Sequence, residues 1–172
     1  MKTLASDFFE RDARIVAKEL LGKYLVRRIG RKKVAARITE TEAYLGPYDL
    51  ASHARHGKTA RTAVMFGPPG VWYVYFTYGM HYMLNIVARR EGIPSAVLIR
   101  GVEGIVGPGR LTKKLAIDKT LNMKAAVPAS GLWIEDRGEI VPKRKIITGP
   151  RVGVDYAGEW AKKPYRYRIG SF

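Results

Sequence analysis

The stretch "WYVYFTYGMHYMLNI", residues 72–86, decides the fold. Two runs rich in aromatic and β-branched residues flank Tyr78-Gly79-Met80, which predicts two strands joined by a tight turn. Side chains alternate between the faces of a strand, so Tyr73 and Tyr75 share one face, opposite that of Trp72. A hairpin that serves only the core needs apolar residues on one face. The second aromatic face and the tyrosine at the turn therefore indicate a further role for this hairpin.

The remainder of the chain predicts one early helix and further strands linked by turns. Asp12 is a typical N-cap and Gly22 a typical helix stop, which predicts a helix over residues 13–21. Residues 48–70 are rich in Gly and Pro and are expected to be mostly irregular. The other predicted elements are strands over 24–29, 34–44, 96–100, 132–135 and 146–148, and a short basic helix over 111–116. Strands joined by short turns pair antiparallel, so we expect one α+β domain over residues 1–172, with a curved antiparallel sheet flanked by helices.

The charge of the chain is its most informative global property. Lys and Arg total 31 against 15 acidic residues, a formal net charge of +16. Solubility of a small domain needs a magnitude of only about 2–8, so the excess predicts a polyanionic partner, above all nucleic acid. Ribosomal and membrane surfaces are the alternatives. A surface adapted to high temperature is a further alternative. Such surfaces are enriched in Glu as well as Lys, whereas this chain is not enriched in Glu.

Several classes of protein are excluded or disfavoured by composition. The chain has no Cys, which excludes disulfides, iron–sulfur clusters and thiol nucleophiles. The three histidines have no spacing typical of a metal site, so no metal ion and no cofactor are expected. No apolar run reaches the roughly 20 residues of a membrane span, and the N-terminus carries acids, so we expect no membrane partner and no export signal. The expected location is the cytoplasm, near the nucleoid, in a prokaryote and the nucleus in a eukaryote.

Carboxylates are the candidate catalytic groups. Glu40 and Glu42 lie two residues apart on a predicted strand, so they share a face with Tyr44. A buried Glu is unusual unless it is paired or functional, and Arg100, at the end of an apolar strand, is a candidate partner. Two interpretations stay open at this point. One is a structural ion pair at a sheet edge, and the other is a carboxylate that activates water beside an arginine.

Five ordered blocks of sequence resemble the alkyladenine (3-methyladenine) DNA glycosylase family, over nearly the whole chain. The blocks are "ETEAYLGPYDLASH" (40–53), "YVYFTYGMHYMLNI" (73–86), "VLIRGVEG" (97–104), "GPGRLTKKLAI" (107–117) and "GPRVGVDYAGEWAKKPYRY" (149–167). The resemblance implies a monofunctional enzyme that removes damaged purines from DNA. The family usually has an insertion between the third and fourth blocks, which nearly adjoin here.

The resemblance also implies roles in hydrolysis and base recognition. Glu42 is expected to be the general base toward the attacking water, which Arg100 and the backbone carbonyl of Val152 help to hold. Asn85 is expected to exclude guanine by crowding its exocyclic amino group. The walls of the pocket for the flipped base are expected to be Tyr44, His53 and Tyr75.

The hairpin is expected to insert into the minor groove of double-stranded DNA that contains a damaged purine. Tyr78 resembles the wedge that fills the gap left by the flipped base, with Met80 and His81 beside it. Arg110 is expected to contact a phosphate. The resemblance to an enzyme that moves along DNA favours a monomer. The alternative from another class is a non-catalytic nucleic-acid-binding protein on the same scaffold, since the basic clusters suit both.

Overall fold

Antiparallel strands form the centre of the protein in a computed structural model that describes residues 1–170. The strands are β1 (Lys2–Thr3), β2 (Tyr24–Ile29), β3 (Lys32–Leu45), β4 (Trp72–Thr77), β5 (His81–Val87), β6 (Ser95–Val102), β7 (Ile105–Val106), β8 (Leu132–Asp136), β9 (Ile146–Gly149) and β10 (Arg166–Ile169). The α-helices are α1 (Ser6–Phe9), α2 (Ala13–Leu20) and α3 (Pro108–Lys114). The fold is α+β, as the sequence predicts.

The long strand β3 organises the sheet, whose main order is β1-β8-β2-β3-β6-β5-β4. The first half of β3 pairs with β2, and its second half lies between β6 and β10. Strand β10 also pairs with β9, and β7 pairs with β6. Every one of these pairings is antiparallel. The second half of β3 therefore has neighbours on both edges and lies deep in the fold.

Helix α2 covers one face of the sheet and confirms the predicted helix. The side chain of Asp12 accepts a hydrogen bond from the Arg14 N–H at 2.9 Å, as an N-cap does. The residues that α2 buries are Ala13, Val16, Ala17 and Leu20. They join the main core with Trp72 of the hairpin, whose indole N–H donates to the Leu132 carbonyl at 3.0 Å. The Trp72 face of the hairpin is therefore the core face.

The second helix differs from its predicted bounds. Helix α3 runs over Pro108–Lys114 instead of residues 111–116, because Pro108 occupies its first turn, where the fixed φ of proline suits a helix start. The irregular region 48–70 contains two 3-10 helices, His53–His56 and Ala63–Phe66. Strand β10 lies outside all the predicted strands. Within residues 1–170, no helix has the length and apolar character of a membrane span.

Candidate active site

A cavity of about 370 Å³ opens on the face of the sheet opposite α2. Alternate residues of four strands line it, because alternate side chains point to the same face. The lining side chains from these strands are Tyr44 of β3, Tyr73, Tyr75 and Thr77 of β4, Met83 and Asn85 of β5, and Ala96, Leu98 and Arg100 of β6. His53, Arg61 and residues of the loop 152–156 form further parts of the walls. The second aromatic face of the hairpin is thus a cavity wall.

An irregularity in the pairing of β3 with β6 places the carboxylates on the cavity side. The register shifts on either side of Glu40. Before the shift Ile38 is buried in the main core, and after it Thr41 points to the same side, where its hydroxyl donates to the Ala17 carbonyl of α2 at 2.8 Å. Glu40, Glu42 and Tyr44 consequently share the other face, as predicted.

Glu42 is fully buried directly behind the cavity wall. The Tyr44 hydroxyl donates to its Oε2 at 2.7 Å, and the Val152 backbone N–H donates to its Oε1 at 2.9 Å. An Arg100 Nη1 lies 3.6 Å from Oε1. All three neighbours line the cavity, so the carboxylate is separated from it by one layer of atoms. Glu42 thus contacts Val152 through its backbone N–H, and the expected contact of the Val152 carbonyl with the attacking water stays a prediction.

Burial raises the pKa of Glu42, and the Arg100 charge and the hydrogen bonds from Val152 and Tyr44 only partly offset it. Burial and the nearby Glu42 charge raise the pKa of Tyr44 well above its usual value. The Tyr44 hydroxyl therefore stays protonated and can only donate to the carboxylate. A carboxylate with a raised pKa is a better proton acceptor than an ordinary one.

Arg100 contacts both carboxylates. Its Nε donates to Glu40 Oε1 at 3.0 Å, which is closer than its approach to Glu42. Glu40 also accepts from Arg166 Nε of β10 at 2.5 Å. Each of the two interpretations of the sequence therefore fits one of the two acids. Glu40 lies in an ion-pair network, and Glu42 is the carboxylate next to the cavity.

Three further lining residues, His53, Tyr73 and Tyr75, form a cluster of rings in the cavity wall. The centroids of His53 and Tyr75 are 4.6 Å apart with the rings nearly perpendicular, and Tyr73 lies 5.2 Å from Tyr75. His53 Nδ1 is 3.0 Å from the Tyr73 hydroxyl. Burial, together with the positive charges of Arg61 and Arg55, lowers the pKa of His53 to about 4. His53 is therefore neutral near pH 7 and adds no charge to the cavity.

Asn85 is buried on the cavity floor, where its Nδ2 donates to the Tyr73 carbonyl at 3.2 Å. This hydrogen bond fixes the amide against the hairpin. The exclusion of guanine by Asn85 stays a prediction, which the position of the amide on the cavity lining makes sterically reasonable.

The hairpin turn projects at the rim of the cavity. Tyr78 and Gly79 have φ angles of 54° and 65°, and the Met80 N–H donates to the Thr77 carbonyl at 3.2 Å, which defines a type I′ turn. Tyr78 is 77% exposed and Met80 is 67% exposed. A bulky residue at positive φ is strained and is typical of a site where function retains it. Tyr78 also contributes to the cavity lining.

His81 and Arg110 lie outside the cavity lining. The His81 ring packs on α3 so closely that a Cβ added to Gly109 would lie 2.7 Å from the ring, which explains a glycine inside the helix. Arg110 is exposed on α3. Helix α3 therefore supports the base of the hairpin, and the phosphate contact of Arg110 remains a prediction.

Sequence reasoning missed two arginines of the site. Arg151 forms a fully buried ion pair with Asp49 and lies 4.7 Å from the centroid of the Tyr44 ring. Arg61 lies 4.9 Å from the centroid of the Tyr75 ring, at the edge of the cavity. Arg151 lies within the fifth resembling block and Arg61 between the first two, but only the fold reveals their partners, since Asp49 is 102 residues from Arg151.

The cavity is lined by several aromatic rings and adjoins a buried carboxylate with a raised pKa, a combination typical of enzyme active sites that bind planar ligands. Sequence comparison is consistent with that class. The model of the family described as methylpurine-DNA glycosylase (MPG) matches residues 7–106 and 103–171. The chain belongs to the methylpurine-DNA glycosylase family. It is therefore a DNA glycosylase, a hydrolase of N-glycosyl bonds that acts on DNA.

Several similar proteins match this chain over most of their own length, and each is named "Putative 3-methyladenine DNA glycosylase". A protein of Anaeromyxobacter sp. (strain Fw109-5) is 49% identical over 96% of this chain and 88% of its own. A protein of Legionella pneumophila (strain Corby) is 47% identical over 98% of this chain and 95% of its own. One of Myxococcus xanthus (strain DK1622) is 46% identical over 96% of this chain and 89% of its own.

Proposed function

We propose that the protein flips damaged purines out of duplex DNA and hydrolyses their N-glycosyl bond with a water activated by Glu42. The substrate class is 3-methyladenine, 7-methylguanine, hypoxanthine and ethenoadenine. The observation that carries the proposal is the position of the buried Glu42 carboxylate, one atomic layer behind a cavity walled by Tyr44, Tyr75 and Asn85. Enzymes that act on a base inside a duplex must first take it out of the stack.

Two residues of the hairpin support base capture, Tyr75 in the cavity wall and Tyr78 at the turn. Stacking of a base on an aromatic ring is worth roughly 1–3 kcal/mol, and flipping costs a few kcal/mol, least at a damaged or mispaired base. In the proposal Tyr75 stacks on the flipped purine, and the exposed Tyr78 enters the minor groove and fills the gap in the duplex. Because the two gains are close to the cost of flipping, damaged bases are captured in preference to normal pairs.

Hydrolysis follows from the acid–base properties of the site. Glu42 takes a proton from water, the oxygen bonds to C1′ of the sugar, and the N-glycosyl electrons leave with the purine. A purine alkylated at N3 or N7 is cationic and leaves as a neutral base. A neutral lesion also needs a proton on the leaving purine, which a hydrogen-bond donor of the pocket or the solvent supplies. A carboxylate near C1′ also stabilises the oxocarbenium-like transition state. No lysine contributes to the described cavity lining, which supports cleavage by water and an abasic product.

Excision is tested with duplex DNA that contains one hypoxanthine, which hot alkali alone does not attack, followed by hot alkali. The proposal predicts strand cleavage only after alkali, at the damaged position, because the enzyme leaves an abasic site. Cleavage without alkali would contradict the monofunctional mechanism. Tight binding with intact DNA after alkali would instead support a non-catalytic nucleic-acid-binding protein.

A further inference from the structure

Arg100 is shared unequally between the two carboxylates of β3. Its Nε donates to Glu40 Oε1 at 3.0 Å, whereas its Nη1 stays 3.6 Å from Glu42 Oε1. An arginine next to a lone carboxylate usually forms two parallel hydrogen bonds with it. Here that fork does not close on Glu42, and the guanidinium is held by the neighbouring acid.

Glu40 is in turn fixed from the opposite edge of β3. Arg166 of β10 is the register partner of Glu42, and its Nε donates to Glu40 Oε1 at 2.5 Å. Glu40 therefore accepts from two arginines at the same oxygen, one from each neighbouring strand. Side chains on a paired sheet are held more firmly than side chains on loops, so this arrangement sets the position of Arg100.

We propose that Glu40, itself fixed by Arg166, is a positioning residue that holds Arg100 away from a closed ion pair with Glu42, so that the Glu42 carboxylate remains free to accept a proton from water. The inference rests on the proposed function of Glu42. Neither Glu40 nor Arg166 lines the cavity, so neither is required to touch the base. Their effect reaches the reaction through Arg100.

Electrostatics gives the two residues opposite effects on Glu42. Removing the Glu40 charge frees Arg100 to close on Glu42 and lowers the pKa of Glu42. Removing the Arg166 charge leaves Glu40 to hold Arg100 alone and takes a positive charge from the vicinity, which raises it. The other groups that face Glu42 stay in place in both variants. They are Tyr44 of β3, Tyr75 of β4, and Arg151 and the Val152 N–H of the loop after β9.

The test measures single-turnover excision of 7-methylguanine as a function of pH. This lesion needs no added proton to leave, so the acidic limb of the profile reports the base. Glu40→Gln is expected to move the midpoint of that limb down by about one pH unit, equivalent to a tenfold change in the ratio of ionised to protonated Glu42, with a slower plateau from the weaker base. Arg166→Gln is expected to move the midpoint up.

A matched control is Glu135→Gln. Glu135 is likewise buried and accepts from Trp133, Lys33 and Arg137, but it lies on β8, away from the cavity. Its loss is expected to lower stability without moving the limb. Unmoved midpoints in both Glu40→Gln and Arg166→Gln, or shifts of the same sign, would overturn the inference. Should Glu40→Gln fail to fold, Arg166→Gln decides alone, because an upward shift supports the inference and an unchanged midpoint overturns it.

A second readout separates this inference from the proposed function. The carboxyl ¹³C resonance of Glu42, assigned by comparison with Glu42→Gln, reports the titration of Glu42 without any substrate. A downward shift of its midpoint in Glu40→Gln supports the positioning role even if no lesion is excised. Failure of the unmodified protein to release a base contradicts the proposed function instead.

Discussion

Asp49→Asn is expected to destabilise the protein severely. The side chains of Asp49 and Arg151 have no exposed surface and form a bidentate ion pair at 2.5 and 2.8 Å. Each Asp49 oxygen accepts a second hydrogen bond, Oδ2 from the Leu45 N–H at 2.9 Å and Oδ1 from the Ala51 N–H at 3.0 Å. An asparagine amide in either orientation would turn its NH₂ toward two donors.

Removal of one partner from a buried ion pair costs about 3–5 kcal/mol, because the other charge is left uncompensated. For a protein of this length, about 2–4 °C of Tm is lost per kcal/mol, so we expect a fall of roughly 6–20 °C by calorimetry. Function should fall as well, since Arg151 precedes Val152, whose N–H binds Glu42. The loop that carries this donor depends on the ion pair.

Two comparisons make the prediction specific. Asp49→Asn combined with Arg151→Met removes both charges and should recover part of the lost stability. Glu159→Gln breaks an ion pair with Lys162 in which both side chains are highly exposed, and it should leave Tm nearly unchanged. A Tm of Asp49→Asn no lower than that of Glu159→Gln would refute the reasoning.

Three further predictions concern single residues of the site. Tyr78→Asn should retain or raise Tm, because Asn tolerates the φ of 54° better than Tyr. The same variant should bind a lesion in duplex DNA roughly tenfold more weakly, with a smaller loss for a lesion in single-stranded DNA. Equal losses on both substrates would argue against a wedge. His53, with its pKa lowered to about 4, should stay neutral in an NMR titration down to about pH 5. The free energy of unfolding should decrease as pH falls from about 6.5 to about 4, because the unfolded chain takes up the proton first. Titration of His53 near pH 6.5 would contradict its burial. Arg61→Gln should raise the excision of cationic 7-methylguanine relative to neutral hypoxanthine about three- to tenfold, because it removes a positive charge beside the Tyr75 ring, whereas Arg61→Lys should keep the ratio.

Local sequence patterns predicted the parts of the fold that depend on local rules. Alternation along a strand placed Tyr75 opposite the core face of Trp72, and cap preferences placed the ends of α2. The same alternation put Glu42 beside Tyr44. These predictions needed no knowledge of distant partners.

Features that depend on distant partners could not be predicted in this way. Strand β10 alternates two arginines with Tyr167 and Ile169 and is defined by its pairing with β3 and β9. The contact of Arg166 with Glu40 spans 126 residues of sequence. Even the resemblance to a known family gave only the expected catalytic groups, and it did not show that Glu40, rather than Glu42, is the main partner of Arg100. Only the tertiary structure separates the two acids.

The most direct measurement is single-turnover excision by Glu42→Gln on duplex DNA with one 7-methylguanine, with lesion binding measured by fluorescence anisotropy on the same duplex. Glutamine keeps the shape of the side chain but cannot take a proton from water. The account predicts binding close to that of the unmodified protein and a rate lower by about 10²–10⁴-fold. A variant that releases the base at a near-normal rate would show that Glu42 is not the general base.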